Sequence, residues 1–376
     1  MKKLFLFFTF MVSCQLGAQR QIADSLFASG KYTEAIANYK NADPSAYNSF
    51  QIARIYSQLG NNTKAIENYK SGLEIDSLNV TARFEYGKAL LATNKKKEAL
   101  TVFDNLVKEQ PGTANYQYYL GKCKESIGGP IAAVPYYQKA ISLNPEFTHA
   151  RTELITSLLV TKDLNAAIII AQQGLKLSPD NMVLHSLLGQ CYYHNQEYKS
   201  ALKHLKIVDE AGLITEGLIK MLGAASYQER LYKDSIAYYE IGNNTFSQSS
   251  ASYMMIAKNH LKLENYKEAI SNMDAAIVLK QPSLNQEYMQ MAAIYYQMED
   301  DKRMLEYLKK AKIEDPNDGV SAYQYCQAYD RLYTDITAKI NNYKDFVERF
   351  PKDPYVDLAN ARISDLTKER FLQPKK

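Results

Sequence analysis

The sequence predicts an all-α fold, a solenoid of antiparallel helix pairs, and three periodic features predict it. An alanine recurs at Ala35, Ala65, Ala99, Ala133, Ala167 and Ala201, gives way to Ser235 and returns at Ala269, with every interval after Ala65 equal to 34 residues. Twelve residues earlier stands a second small residue, at Ala23, Ala53, Gly87, Gly121, Gly189, Gly223 and Ala257, with Ile155 the exception. Four residues after the alanine comes a large one, at Tyr39, Tyr69, Phe103, Tyr137, Leu205, Tyr239 and Met273, with Ala171 the exception. Such phase-keeping belongs to a repeat array, in which one helix pair cannot bury its apolar face alone and stacks on its neighbours.

Composition agrees with a folded chain: 46% of the 376 residues are hydrophobic and 23% charged, which excludes disorder, a collagen and a disulfide scaffold. The first element is a leader. Lys2 and Lys3 precede an apolar run from Leu4 to Val12, and small or polar residues follow to Ala18, the three parts of a secretory signal peptide over residues 1–18. Two fates remain open for it: cleavage after Ala18, releasing a soluble exported protein, or lipidation at Cys14, because Met11-Val12-Ser13-Cys14 resembles the lipobox of bacterial lipoproteins. No later segment is apolar for long enough to cross a bilayer. Without Lys2 and Lys3, 43 basic residues face 41 acidic ones, so charge gives no argument for nucleic acid.

The array follows over residues 19–351, about nine to ten helix pairs. In each unit the apolar residues fall three and four apart, as in Leu120 and Cys123, before and after a turn marked by Gly30, Gly60, Asn94 or Gly128-Gly129. Pro111, Pro145, Pro179 and Pro316 close units, and small residues at the crossing let two helix backbones approach. Ile155 and Ala171 leave the crossing of the fifth unit unexplained. Past Pro316 the register weakens; 322–333 and 334–350 read as a longer pair. Asp353-Pro354 then opens a capping helix from Tyr355 to Phe371, within a C-terminal segment 352–376, with Leu358, Ile363 and Leu366 on its inner side.

The segment Tyr119–Pro145, with Leu120-Gly121, Ala133, Tyr137, Ala140 and Pro145, resembles a tetratricopeptide repeat, and Leu188-Gly189 and Leu222-Gly223 repeat the dipeptide. The aromatic usual early in the first helix is not Trp, which the chain lacks. The resemblance implies a right-handed superhelix and a protein-binding role. Tyr343–Leu366 also resembles the last units of repeat proteins of the bacterial envelope.

Catalytic signatures are missing. There is no phosphate loop, dinucleotide fingerprint, nucleophile elbow or zinc helix, so no enzyme, cofactor or metal is expected. His149, His185, His194, His204 and His260 have no local ligand spacing and read as solvated or capping residues. Cys123 and Cys191, two periods apart, read as small buried residues.

Counting the small residue as position 8 of the first helix, 100° per residue places positions 9, 12 and 13 opposite the buried stripe, on a groove. Position 9 reads Arg54, Lys88 and Lys122, later Gln190 and Lys258, a basic ladder suited to an acidic segment. Position 12 reads Tyr193, Tyr227 and, after a one-residue insertion, Tyr296, with Gln228 and Gln297 beside the last two. The sequence therefore reads as a non-enzymatic scaffold or adaptor, exported to the periplasm or outer envelope of a Gram-negative bacterium, that binds protein or peptide segments in its groove. The rival is an outer-membrane-anchored lipoprotein that captures carbohydrate or nutrients.

Overall fold

The computed structural model describes residues 19–280 and 284–372, and among them every regular element is an α-helix. The leader and Cys14 lie outside the described residues. Contacts divide the chain into two compact units, the first ending at Asn195 and the second beginning at Gln196.

The first unit contains α1 (residues 19–28), α2 (Tyr32–Asn41), α3 (Ala46–Gln58), α4 (Asn62–Ile75), α5 (Val80–Ala92), α6 (Lys96–Glu109), α7 (Ala114–Gly128), α8 (Pro130–Leu143), α9 (Thr148–Val160), α10 (Leu164–Leu177) and α11 (Met182–His194). Consecutive helices pack on each other, and α5 also meets α7, as α9 meets α11. The second unit contains α12 (Tyr198–Glu210), α13 (Glu216–Gln228), α14 (Tyr232–Thr245), α15 (Ser250–Lys262), α16 (Tyr266–Leu279), α17 (Asn285–Gln297), α18 (Asp301–Glu314), α19 (Gly319–Leu332), α20 (Ile336–Arg349) and α21 (Val356–Leu372). Packing is again sequential, with α21 laid on α20. The fold is an all-α, tetratricopeptide-like array of helix pairs.

The periodic residues sit where two helices cross. A Cβ on Gly87 would lie 2.7 Å from the Phe103 ring, and one on Gly121 the same distance from Tyr137, so the notch in each first helix receives the large residue of the second. The alanines of the register, Ala35 to Ala201 and Ala269, are fully buried. In the fifth pair the volumes are exchanged: Ile155 is large where its equivalents are small, Ala171 is small where its equivalents are large, and both are fully buried in one cluster. The crossing is kept because the sum of the two side chains is kept.

The turn inside a pair repeats one backbone motif. Gly30 and Gly60 take positive φ, and so do Asn94, Lys162, Arg230, Glu264 and Glu299 in the equivalent turns. The amide three residues beyond the helix donates back five residues, as from Lys95 N to Leu90 O (2.9 Å) and from Asn265 N to His260 O (2.9 Å), which closes the helix end. Between pairs, the side chains of Asn79, Asn181, Thr215 and Ser249 accept an amide of the following helix and cap it.

A second device ties pairs together. Gln117 Nε2 donates to Pro111 O (3.3 Å), Arg151 Nη2 to Pro145 O (2.8 Å), and His185 Nε2 lies 2.8 Å from Pro179 O, each donor six residues beyond its proline. A carbonyl can only accept, so His185 carries its proton on Nε2. His185 is thus buried, not solvated, with its ring turned in to the Pro179 carbonyl. At the C-terminus the inner stripe of α21 is Ala359, Ile363 and Leu366; Leu358 is 56% exposed. Positions 359, 363 and 366 keep the i, i+4, i+7 spacing, and 358 falls about 100° off it.

Candidate functional site

In the first unit the position after each small residue projects from a first helix. Arg54 on α3 is exposed; its guanidinium sits 5.5 Å from the Phe27 ring and donates to Gln51 Oε1 at 3.0 Å. Lys88 on α5 is half-buried, with Nζ 3.0 Å from Glu85 and 5.5 Å from the Phe84 ring. Lys122 on α7 reaches Glu153 of α9 at 3.0 Å and Glu125 of its own helix at 3.5 Å. Burial pulls the Lys122 ammonium down, but these two carboxylates outweigh it and hold its pKa above the usual lysine value. Glu125 also accepts from the hydroxyl of the core residue Tyr137 (2.8 Å).

Two rungs of the basic ladder are therefore already matched to carboxylates, and a partner's acid must compete with Glu85 or Glu153. The sequence signal was available, since Glu85 lies three residues before Lys88 and Glu125 three residues after Lys122. Further along this unit, Gln190 on α11 donates to Ser186 Oγ (3.2 Å), and the half-buried Tyr193 ring meets His194 edge-on at 5.5 Å.

In the second unit Tyr227 on α13 is half-buried with its ring 5.8 Å from Tyr232, and burial raises its hydroxyl pKa. Gln228 and Gln297 are exposed, and Lys258 on α15 is half-buried. Tyr296 is different. It stands 55% exposed at the lip of a hollow of about 350 Å³ enclosed by α17, α18 and α19. The floor is apolar, from Ala292, Met304, Leu308 and Ala328, all buried. The rim is polar: Gln324, Gln327 and Arg331 project from successive turns of α19. Arg331 stacks 5.1 Å from the Tyr296 ring while its Nη2 pairs with Asp301 at 3.1 Å, which fixes both lip residues.

Gln324, Gln327 and Arg331 were missed by sequence reasoning because the register weakens beyond Pro316. Continuing the count through Ala292 to Cys326 would have placed Gln327 at position 9 and Arg331 at position 13. The hollow offers an apolar seat beside two side-chain amides, each able to donate and accept, and one cation. Among the described residues no group of three His, Cys, Asp or Glu side chains is arranged to hold a metal ion, and no helix is long and apolar enough to cross a membrane.

Comparison with known proteins bears on the same architecture. Residues 56–123 and 250–281 match family models described as tetratricopeptide repeat. A curated relative is anaphase-promoting complex subunit 3 of Schizosaccharomyces pombe, 22% identical over 144 residues, which is 38% of this chain and 22% of that protein. The chain thus spans less than a quarter of that relative's length. Among solved structures, yeast Tom70 is 13% identical with a TM-score of 0.41, covering 96% of this chain and 97% of its own. PilW, a type IV pilus biogenesis factor, is 13% identical with a TM-score of 0.47, covering 54% of this chain and 94% of its own. Tetratricopeptide repeats, the class to which the fold and the matched segments point, serve in general as surfaces for protein–protein contact.

Proposed function

We propose that this chain is a non-enzymatic scaffold that binds a protein or peptide segment across its first helices, with the hollow beside Tyr296 as the anchoring seat. The hollow is the observation that carries the reading. An apolar side chain of a partner enters it and loses contact with water, while Gln324 and Gln327 meet the partner's main-chain amides. The seat is already formed by α17, α18 and α19, so little ordering entropy opposes binding. Arg54, Lys88 and Lys122, with Gln190 and Tyr193, form the corresponding face of the first unit, where acidic segments would exchange with Glu85 and Glu153. On the leader's pattern, the place of action is the periplasm or outer envelope of a Gram-negative bacterium.

The test is site-specific photocrosslinking in intact cells, with a benzophenone amino acid replacing Tyr296 and, as control, Val278, which is 82% exposed on α16. A discrete partner band at 296 and none at 278 is expected; identical patterns at both positions sink the proposal. Intact mass of the purified protein checks the address. A chain beginning at Gln19 is expected, and acyl groups on Cys14 would replace soluble export by a lipid anchor.

A further inference from the structure

We propose a second interaction surface, on the second helices of the second unit, that receives an acidic amphipathic helix. It is a cleft of about 660 Å³ between α12 and the turn joining α13 to α14. Lys199, Lys203 and Lys206 line one wall. They stand at i, i+4 and i+7 on α12, one face of the helix, and neighbouring like charges at that spacing repel. No other second helix of the array carries a basic residue at all three equivalent positions. Among the described residues only Lys206 of the three meets a carboxylate, Asp234 at 3.4 Å. Glu229 lies at the far rim and is the one acid in the lining.

The floor supplies an independent observation. Leu231 occupies the N-cap of α14, where the equivalent residues of the other pairs are Lys31, Asn61, Lys95, Gly129, Asp163, Glu197, Asn265 and Asp300. An N-cap favours a short polar side chain, and Asn61, Asp163 and Asp300 each accept a backbone amide there; Leu231, like Lys31, Lys95, Gly129, Glu197 and Asn265, makes no such cap, but it alone of these is a large hydrophobe, and it remains 43% exposed. Neither a cap nor burial accounts for a leucine there, and it leaves an apolar side chain beside the lysines for a ligand to cover. Leu231 and Leu202 form an apolar seat, the two unmatched ammonium groups select carboxylates, and their spacing matches acids one helical turn apart on a ligand helix.

The test measures fluorescence anisotropy of a labelled peptide made of four Glu-Ala-Leu-Glu repeats against the full chain, with phosphatidylglycerol vesicles as a parallel probe. Binding that weakens with salt is expected. Lys199→Glu with Lys203→Glu should weaken it about tenfold or more, and Lys70→Glu with Lys139→Glu, an equal charge change on α4 and α8, should not. Leu231→Ser should weaken binding without lowering the melting midpoint, because serine is the better N-cap. A purely structural Leu231 would instead lose stability. No binding by the wild-type chain, equal loss in both charge pairs, or vesicle binding in place of peptide binding would each overturn the proposal.

Discussion

Ser235 shows how one residue can keep a repeat's register and still change its chemistry. It stands where neighbouring pairs carry alanine and is fully buried; its Oγ donates to Gly223 O at 2.8 Å and accepts from Asn259 Nδ2 at 2.9 Å. A restoration to the repeat's usual residue, Ser235→Ala, is therefore expected to destabilise by about 1 to 2 kcal/mol in denaturant unfolding, because Asn259 loses an acceptor and Gly223 a donor. Adding Asn259→Leu should recover part of that loss, and a neutral Ser235→Ala would show that the relay contributes nothing. The turn residues point the other way. Glu264 holds φ at 61°, a region that costs a residue with a Cβ about 1 to 2 kcal/mol, offset in part by glycine's larger entropy loss. Glu264→Gly should accordingly raise stability, by up to about 1 kcal/mol on these figures. A lower melting midpoint would refute that account. Such turns were legible at Gly30 and Gly60, where glycine advertises the conformation. At Lys162, Arg230 and Glu264 the Schellman bonds impose it on residues that carry no sign of it.

At the scale of an element, α21 is fastened by charge as well as by its apolar stripe. Arg362 of α21 lies 2.6 Å from Asp330 of α19, and Lys339 of α20 reaches the same carboxylate at 2.9 Å. Burial alone would push the Asp330 carboxyl up, but the hydrogen bonds from Arg362 and Lys339 outweigh it and hold it below the ordinary value of 3.8. A depressed folded pKa contributes stability that is complete above the unfolded value and disappears as pH falls through the folded one. Protection of the α21 amides, with the intrinsic exchange rate divided out, should therefore fall as the medium is acidified below about pH 4, before protection in α13 to α16 changes. Asp330→Asn should lower that protection already at neutral pH and remove the pH step. If the step survives in the variant, another carboxylate carries it. The existence of this helix was plain from Asp353-Pro354 and the apolar residues beyond. Its clamp was not, because Asp330, Lys339 and Arg362 are separated in sequence and only packing brings them together.

For the whole molecule, the three thiols among the described residues report on how the array comes apart. Cys123 and Cys191 belong to the first unit and Cys326 to the second; all are buried, and burial pushes each thiol up to about 12. None should react with an aromatic disulfide at mildly alkaline pH in the native state, since a buried thiol with so high a pKa supplies almost no thiolate. In a denaturant series read by mass spectrometry, Cys123 and Cys191 should become reactive at a common midpoint and Cys326 at its own. One midpoint shared by all three would mean that the two compact units unfold together.

The proline latch has a consequence for how such a chain can change over generations. A main-chain carbonyl is blind to the identity of its donor, and in three successive pairs it is served by an amide, a guanidinium and an imidazole, from Gln117, Arg151 and His185. The position is thus free to drift among three unlike side chains while its chemistry is held constant, so a search for recurring letters passes over a recurring bond. Exchange within that alphabet should be tolerated and departure from it should not. His185→Gln is expected to cost less than His185→Leu, which should cost about 0.5 to 1.5 kcal/mol, because the carbonyl of the exposed Pro179 then exchanges its protein donor for water.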